Sequence, residues 1–287
     1  MQIVVAPLEL AYNSAMTTSL FICPLDRTPL QQQESSWHCA HGHSFDMARQ
    51  GYVNLLPVQH KRSRDPGDSK AMVQARAEFL AAGYYAPIAA ALSDVVLRSE
   101  PVKVLDAGCG EGYYLRALGD HTLAKNVQRV GLDISKWAVA AAARTDKSGA
   151  YVVASNSAIP LADDSVDAVL SVFGFAVLSE FKRVLRPGGR LITVDPAPQH
   201  LAELKAIIYA EVHEKAYDSV VTDDWSLCSE QRVTFEFELP TAAAIQQLLT
   251  MTPHLYRASA EGRARAEALT SLRLTADVYV REFEVGK

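Results

Sequence analysis

The segment Val104-Leu105-Asp106-Ala107-Gly108-Cys109-Gly110-Glu111-Gly112 constrains this chain more than any other stretch. An apolar run ends in an acidic residue, and three glycines at alternate positions follow before a helical pattern opens. Glycines allow a tight turn and close approach of a ligand to the backbone, while a helix N-terminus offers unpaired N–H groups. The spacing is G-x-G-x-G, not the G-x-G-x-x-G of dinucleotide sites. A carboxylate just before the turn suits a cofactor bearing an amino group better than one bearing a pyrophosphate. Asp133 closes the next apolar run about twenty positions on, where a carboxylate can take both ribose hydroxyls.

The pattern around this turn repeats. Val102–Asp106, Val127–Asp133, Tyr151–Ala154, Val166–Val172 and Arg190–Val194 read as buried strands bounded by polar or Gly/Pro signals, with helical segments such as Ser135–Arg144 and Ser179–Leu185 between them. Strands alternating with helices imply βαβ units and a parallel sheet covered on both faces. A long helix is expected over about Gln199 to Ala216, followed by β-like runs Arg232–Leu239 and Leu272–Glu284 that can extend the sheet antiparallel. The expected class is α/β.

The turn and strand pattern resembles class I S-adenosylmethionine-dependent methyltransferases over about 200 residues. In that family the acid of the glycine motif and the first glycines surround the methionine part of the cofactor, and the acid after the second strand binds ribose. The resemblance places these roles on Asp106, Gly108, Gly110 and Asp133. Ser155-Asn156-Ser157-Ala158-Ile159-Pro160-Leu161 looks like the family's third-strand turn, with Ser155 where many members carry an Asp for the adenine amino group. Arg186-Pro187-Gly188-Gly189-Arg190 looks like the turn into the fifth strand.

Upstream, Cys23-Pro24-Leu25-Asp26 and Cys39-Ala40-His41-Gly42-His43 form C-x2-D and C-x3-H pairs. Zinc takes four tetrahedral N, S or O ligands, and two close pairs joined by a hairpin can supply them. The best quartet is Cys23, Asp26, Cys39 and His43, with His41 as a substitute for Asp26. A metal-free module packed by Phe21, Trp37 and Phe45 is the alternative.

This module, then Phe45-Asp46-Met47-Ala48-Arg49-Gln50-Gly51-Tyr52-Val53-Asn54-Leu55-Leu56-Pro57, then Lys61-Arg62-Ser63-Arg64-Asp65-Pro66-Gly67-Asp68, resembles the bacterial 23S rRNA (guanine-N1)-methyltransferases from Leu20 onward. The fold implied is a Rossmann-like class I methyltransferase sheet with a small N-terminal zinc-ribbon-like module. The domain bounds are a 1–19 extension, a 20–57 zinc-binding-type RNA-recognition module, a 58–84 linker and helix, and an 85–287 S-adenosylmethionine-dependent domain. The resemblance further implies zinc, a guanine in an rRNA hairpin loop as substrate, a homodimer, and cofactor contacts at Tyr85, Gly110, Glu111 and His200. Two departures stand out. Asp26 replaces a family cysteine, and Phe173-Gly174-Phe175-Ala176-Val177 stands where Gram-negative relatives carry Ala-Pro-Cys.

Guanine N1 carries a proton that must be lost before or during attack, which calls for a base or for stabilisation of charge at O6. Asp195 and His200 are the candidates, although Asp195 could cap a helix and His200 could contact only the cofactor. Lys61, Arg62 and Arg64 are the phosphate-binding candidates, unless they are a solvated linker. With a net charge of −5, RNA contact must come from such local patches. Four scattered cysteines point to a reducing, cytoplasmic setting and not to a disulfide framework. No apolar run approaches the ~20 residues that span a bilayer. The competing readings are a class I enzyme for a small molecule and an RNA- or ribosome-binding protein that keeps the fold without transfer.

Overall fold

A computed structural model describes residues 19–60, 63–209, 224–252 and 258–286. The expected 1–19 extension therefore lies outside the described residues except for its last position. The chain opens with three short antiparallel strands, β1 (Gln31–Gln33), β2 (Ser36–His38) and β3 (Ser44–Asp46). Strand β4 (Tyr52–Asn54) leaves this small sheet for the large one. Helices α1 (Lys70–Ala81) and α2 (Ala86–Leu97) follow. Ser69 caps α1, its hydroxyl accepting from the Met72 N–H at 3.3 Å.

The strand–helix alternation expected from the sequence is present. It runs β5 (Lys103–Ala107), α3 (Tyr113–Asp120), β6 (Gln128–Asp133), α4 (Lys136–Thr145), β7 (Ala150–Val153), β8 (Val166–Val172), α5 (Leu178–Val184) and β9 (Leu185–Pro196). Helix α6 (Ala202–Ile208), β10 (Trp225–Leu239), α7 (Ala242–Met251), α8 (Ala260–Glu267) and β11 (Leu272–Val285) complete the described chain. The large sheet has the order β10-β11-β9-β8-β5-β6-β7-β4. Strands β4 to β9 run parallel, β11 pairs antiparallel with β9, and β10 pairs antiparallel with β11. This is the mixed sheet of a class I methyltransferase with β4 added at one edge.

Every residue of β8 is buried, as a parallel strand covered on both faces requires. Alternate residues divide between two cores. Val104 of β5 packs on one side with Ile88, Leu92, Leu115 and Val139 from α2, α3 and α4. Leu105 and Ala107 face the other side, with Phe181 and Val184 of α5 and with Phe21 and Leu30 of the N-terminal module. The module is thus seated on the sheet, and Ile22 N–H donates to the Pro160 carbonyl at 3.0 Å. Pairing β4 with β7 covers an edge that β7 would otherwise expose.

The sequence order reverses at β5, since β6 and β7 lie to one side and β8 and β9 to the other. The crevice beyond the carboxyl ends of β5 and β8 is where an open α/β sheet binds its ligand. Three expected elements are corrected: β9 starts at Leu185 and not Arg190, where it already pairs with Val166 of β8; β10 starts at Trp225 and not Arg232, where it pairs with Val285 of β11; and the long helix is shorter than expected. The helix over Gln199 to Ala216 begins only at Ala202 and ends at Ile208, with Tyr209 extended. Gln199 N–H donates to Asp277 Oδ2 at 3.1 Å and Leu201 N–H to the Thr275 carbonyl at 2.8 Å, so β11 holds this stretch as a turn. Residues 210–216 of that expectation lie outside the described residues.

Candidate active site

The glycine turn after β5 is pinned to the end of β6, with Gly108 and Cys109 N–H groups donating to the Leu132 carbonyl at 2.8 and 2.9 Å. Gly108 has φ +104°, a conformation that side chains rarely adopt, and a Cβ there would meet nothing within 4 Å. That open space belongs to a cavity of about 1100 Å3 lined by the turn, Tyr85, Asp133, Ser155 and the loop after β8. Gly112, by contrast, lets α4 approach, because a Cβ there would lie 3.0 Å from that of Ala142.

Asp106 is 1 % exposed, and neither of its carboxylate oxygens has a hydrogen-bond partner among the described residues. Burial, reinforced by the charge of Asp133, pushes its carboxyl up to about 8. A buried carboxylate without a partner is costly, and a cation supplied by a ligand would offset that cost. Asp133 Oδ2 accepts from Gly110 N–H at 2.9 Å and Oδ1 from Ser135 N–H at 2.8 Å. Those two bonds hold its carboxylate at the cavity wall. Glu111 is buried and paired through Oε2 with Arg116 at 2.7 Å, while its Oε1 has no partner among the described residues.

The opposite wall is aromatic. Phe173 has φ +50°, unusual for a bulky residue, and Phe175 is 90 % exposed at the cavity rim. Asn156 ties this loop to the cofactor side, its Nδ2 donating to the Ala107 carbonyl at 3.2 Å and the Phe175 carbonyl at 3.3 Å. Behind Phe173 stand Tyr85, at 6.0 Å between ring centroids, and His200, stacked at 5.7 Å. Tyr85 Oη lies 3.3 Å from His200 Nε2, and burial pushes the Tyr85 phenol up. His200 Nδ1 accepts from the Asp277 N–H at 3.2 Å, so the neutral ring carries its proton on Nε2, toward Tyr85. Asp277 is fully buried and ionised, held down at about 2 by its hydrogen bonds to Arg232.

Of the expected site residues, Tyr85, Gly108, Gly110, Glu111, Asp133 and Ser155 line the cavity, whereas Asp106 is buried just before the turn, beside Asp133, and does not itself line it. Asp195 and His200 do not line it. Asp195 Oδ2 accepts from Thr193 Oγ1 at 2.7 Å and lies 3.6 Å from Arg281, away on β9. Arg64 is exposed, whereas Lys61 and Arg62 lie outside the described residues.

Cys23, Asp26, Cys39 and His43 converge with their ligand atoms all within 4.8 Å of one another. His43 Nδ1 lies 3.4 Å from Cys23 Sγ, 3.3 Å from Cys39 Sγ and 3.0 Å from Asp26 Oδ2, and Cys39 Sγ lies 3.5 Å from Asp26 Oδ2. A tetrahedral zinc with bonds of ~2.3 Å to sulfur and ~2.0 Å to nitrogen or oxygen separates its ligands by roughly 3.3–3.8 Å, close to these separations, so the donor set suits the ion with small side-chain adjustments. Thr28 N–H and Oγ1 both donate to Asp26 Oδ1, at 3.0 and 2.6 Å, aiming Oδ2 at the other three ligands. His41 Nδ1 also lies 2.9 Å from that Oδ2, on the exposed side.

Sequence reasoning passed over the linker residues Ser63, Pro66, Gly67 and Asp68 as cavity wall. Ser135 Oγ donates to the Asp68 carbonyl at 2.7 Å and Lys136 pairs with Asp65 at 2.5 Å, which clasps the linker to the end of β6. Asp-Pro-Gly-Asp signals a turn but not the partner it packs on. Arg76 and Asn156 also line the cavity, and neither carries a motif that marks it.

Comparison with known proteins agrees with this geometry. Residues 21–64 match the family model described as RlmA, N-terminal, a zinc ribbon, and residues 105–193 match the one described as Methyltransferase domain. The 23S rRNA (guanine(748)-N(1))-methyltransferase of Streptomyces fradiae is 40 % identical over 188 residues, 63 % of this chain and 65 % of its own. YxjB of Bacillus subtilis, whose name assigns it to the 23S rRNA (guanine-N1)-methyltransferases, is 30 % identical over 275 residues, 91 % of this chain and 96 % of its own. The second alignment runs through module, linker and sheet alike, and the chain belongs to the 23S rRNA (guanine-N1)-methyltransferase family.

Proposed function

We propose that this chain transfers a methyl group from S-adenosylmethionine to N1 of a guanine in a hairpin loop of 23S rRNA. The observation that carries the reading is the cavity itself, with a buried carboxylate that has no partner among the described residues just behind the glycine turn and an exposed aromatic ring at the opposite rim. Asp106 meets the ammonium of the cofactor, Asp133 its ribose hydroxyls, and the turn from Gly108 to Gly110 leaves room for its backbone-hugging part. The side chains of Tyr85, Glu111 and Ser155 complete that side of the cavity.

When bound, the cofactor supplies a sulfonium methyl for in-line displacement. For guanine N1 to accept that methyl group, its proton would have to pass to a base, in the simplest case water at the cavity mouth. The protein's part is alignment and exclusion of water. Phe173 and Phe175 flank the cavity mouth and can stack on a base turned out of its helix; such chemistry needs a loop or flipped base. His200 positions Tyr85 and Phe173 from behind, held in turn by Asp277. Asp195 does not line the cavity, so the pH–rate profile of Asp195→Asn should match that of the parent.

The zinc ribbon, seated next to the cavity through β4 and Ile22, supplies a second surface for RNA, and Arg64 with Lys61 and Arg62 a phosphate contact. Cys23, Asp26, Cys39 and His43 would hold its zinc. The test is transfer of methyl label to transcripts of 23S rRNA hairpins, with the labelled position mapped. Label at guanine N1 supports the reading, and label only on a small metabolite overturns its RNA half.

A further inference from the structure

The amino-acid end of S-adenosylmethionine is a zwitterion, so a site that accepts it needs an anion for the ammonium and a donor for the carboxylate. Asp106 answers the first need. The wall of the cavity otherwise adds negative charge, from Asp68, Glu111 and Asp133. Unopposed, these groups would repel a second carboxylate entering beside them. Among the described residues lining the cavity, Arg76 is the one lysine or arginine.

Arg76 projects from α1 toward the glycine turn. Its Cδ and Nη1 each lie 3.8 Å from the point that a Cβ on Gly110 would occupy. Its side chain is 27 % exposed and is fixed from two directions. Nη1 donates to Asp68 Oδ2, and Nη2 donates to the Met251 carbonyl at 2.9 Å. Those contacts account for two of the five donors a guanidinium carries. A planar, always charged fork held this way matches a carboxylate better than a mobile ammonium would.

Resting on the cofactor assigned above, we propose that Arg76 binds the carboxylate of S-adenosylmethionine and so makes the enzyme discriminate against a cofactor lacking that group. A merely structural Arg76, bridging α1 to the linker and to the end of α7, would affect both ligands alike. The distinction is therefore measurable.

Titration calorimetry of the full chain with S-adenosylmethionine and with decarboxylated S-adenosylmethionine reads it directly, since both keep the ammonium that Asp106 needs. The unmodified protein should prefer the carboxylate-bearing ligand by about 10- to 100-fold, the range of a hydrogen bond to a charged group. Arg76→Gln should lose that preference by weakening only the carboxylate-bearing ligand, and Arg76→Lys should restore part of it. Equal affinities in the unmodified protein would overturn the proposal without any variant. A preference that survives in Arg76→Gln would overturn it as well. Absence of binding by either ligand would instead strike at the cofactor reading beneath it.

Discussion

Asp106 sets two requirements against each other. Its carboxyl is buried without a hydrogen-bond partner among the described residues, and its folded value of about 8 lies far above the ordinary carboxylate range. For a carboxyl raised on folding, the unfolded chain binds fewer protons between about pH 4 and pH 8. Stability of the cofactor-free protein from this group therefore falls as pH rises through that window and levels off above it. Asp106→Asn should melt at a higher temperature than the parent at pH 8, by about 2–4 °C for each kcal/mol recovered, with the gap shrinking toward pH 4. The same variant should bind S-adenosylmethionine about 10- to 100-fold more weakly. Because the ligand's ammonium favours ionised Asp106, affinity of the parent should rise from pH 6 to pH 7. Calorimetry in buffers of different ionisation heat should show a proton released on binding. Asp106 and Asp133 were legible in the sequence, since each ends an apolar run at a recognisable spacing. Arg76 and Asn156 were not, because a lone arginine on a helix and a lone asparagine in a turn have no spacing to mark them. Only the packing of α1 and of the loop after β8 shows what they face.

At the scale of elements, the linker and the zinc module make separate predictions. Gly67 has φ +80°, and a Cβ there would lie 2.8 Å from Ile134 Cγ2, so only glycine lets the linker close on the end of β6. Gly67→Ala should weaken cofactor binding while leaving the far-ultraviolet circular dichroism of the sheet unchanged. In the module, about one zinc per chain is expected from elemental analysis of protein purified without chelator. Asp26→Ala should lower that occupancy, and Asp26→Cys should retain it. Replacing Thr28 by Val removes one of the two donors that aim the Asp26 carboxylate and should weaken zinc retention less than Asp26→Ala does. Most strands and helices were readable from periodicity to within a residue or two at their ends, but β9 starts at Leu185 and not Arg190, and β10 at Trp225 and not Arg232. The expectation of a helix from Gln199 failed because β11 captures Gln199 N–H with the Asp277 carboxylate and Leu201 N–H with the Thr275 carbonyl, long-range contacts that local periodicity does not encode. Strand β4 was hidden for the same reason, since Tyr52–Asn54 is three residues long and its partner β7 comes almost a hundred residues later.

For the molecule as a whole, the zinc module and the methyltransferase sheet share one apolar core through Phe21, Leu30, Val53 and Phe181. Loss of the metal should therefore reach the sheet, and chelation should lower the melting temperature of the entire chain instead of melting the module alone. No single helix among the described residues is long and apolar enough to cross a membrane. Whether this cavity methylates a guanine of 23S rRNA at N1 is read by nucleotide-resolution mapping of 23S rRNA incubated with the protein and labelled S-adenosylmethionine. Label is expected at N1 of one guanine in a hairpin loop, and Asp106→Asn should lower it at cofactor concentrations that do not saturate the variant. Efficient labelling of a different base or atom, or of no RNA at all while the cofactor binds, would contradict the proposed function.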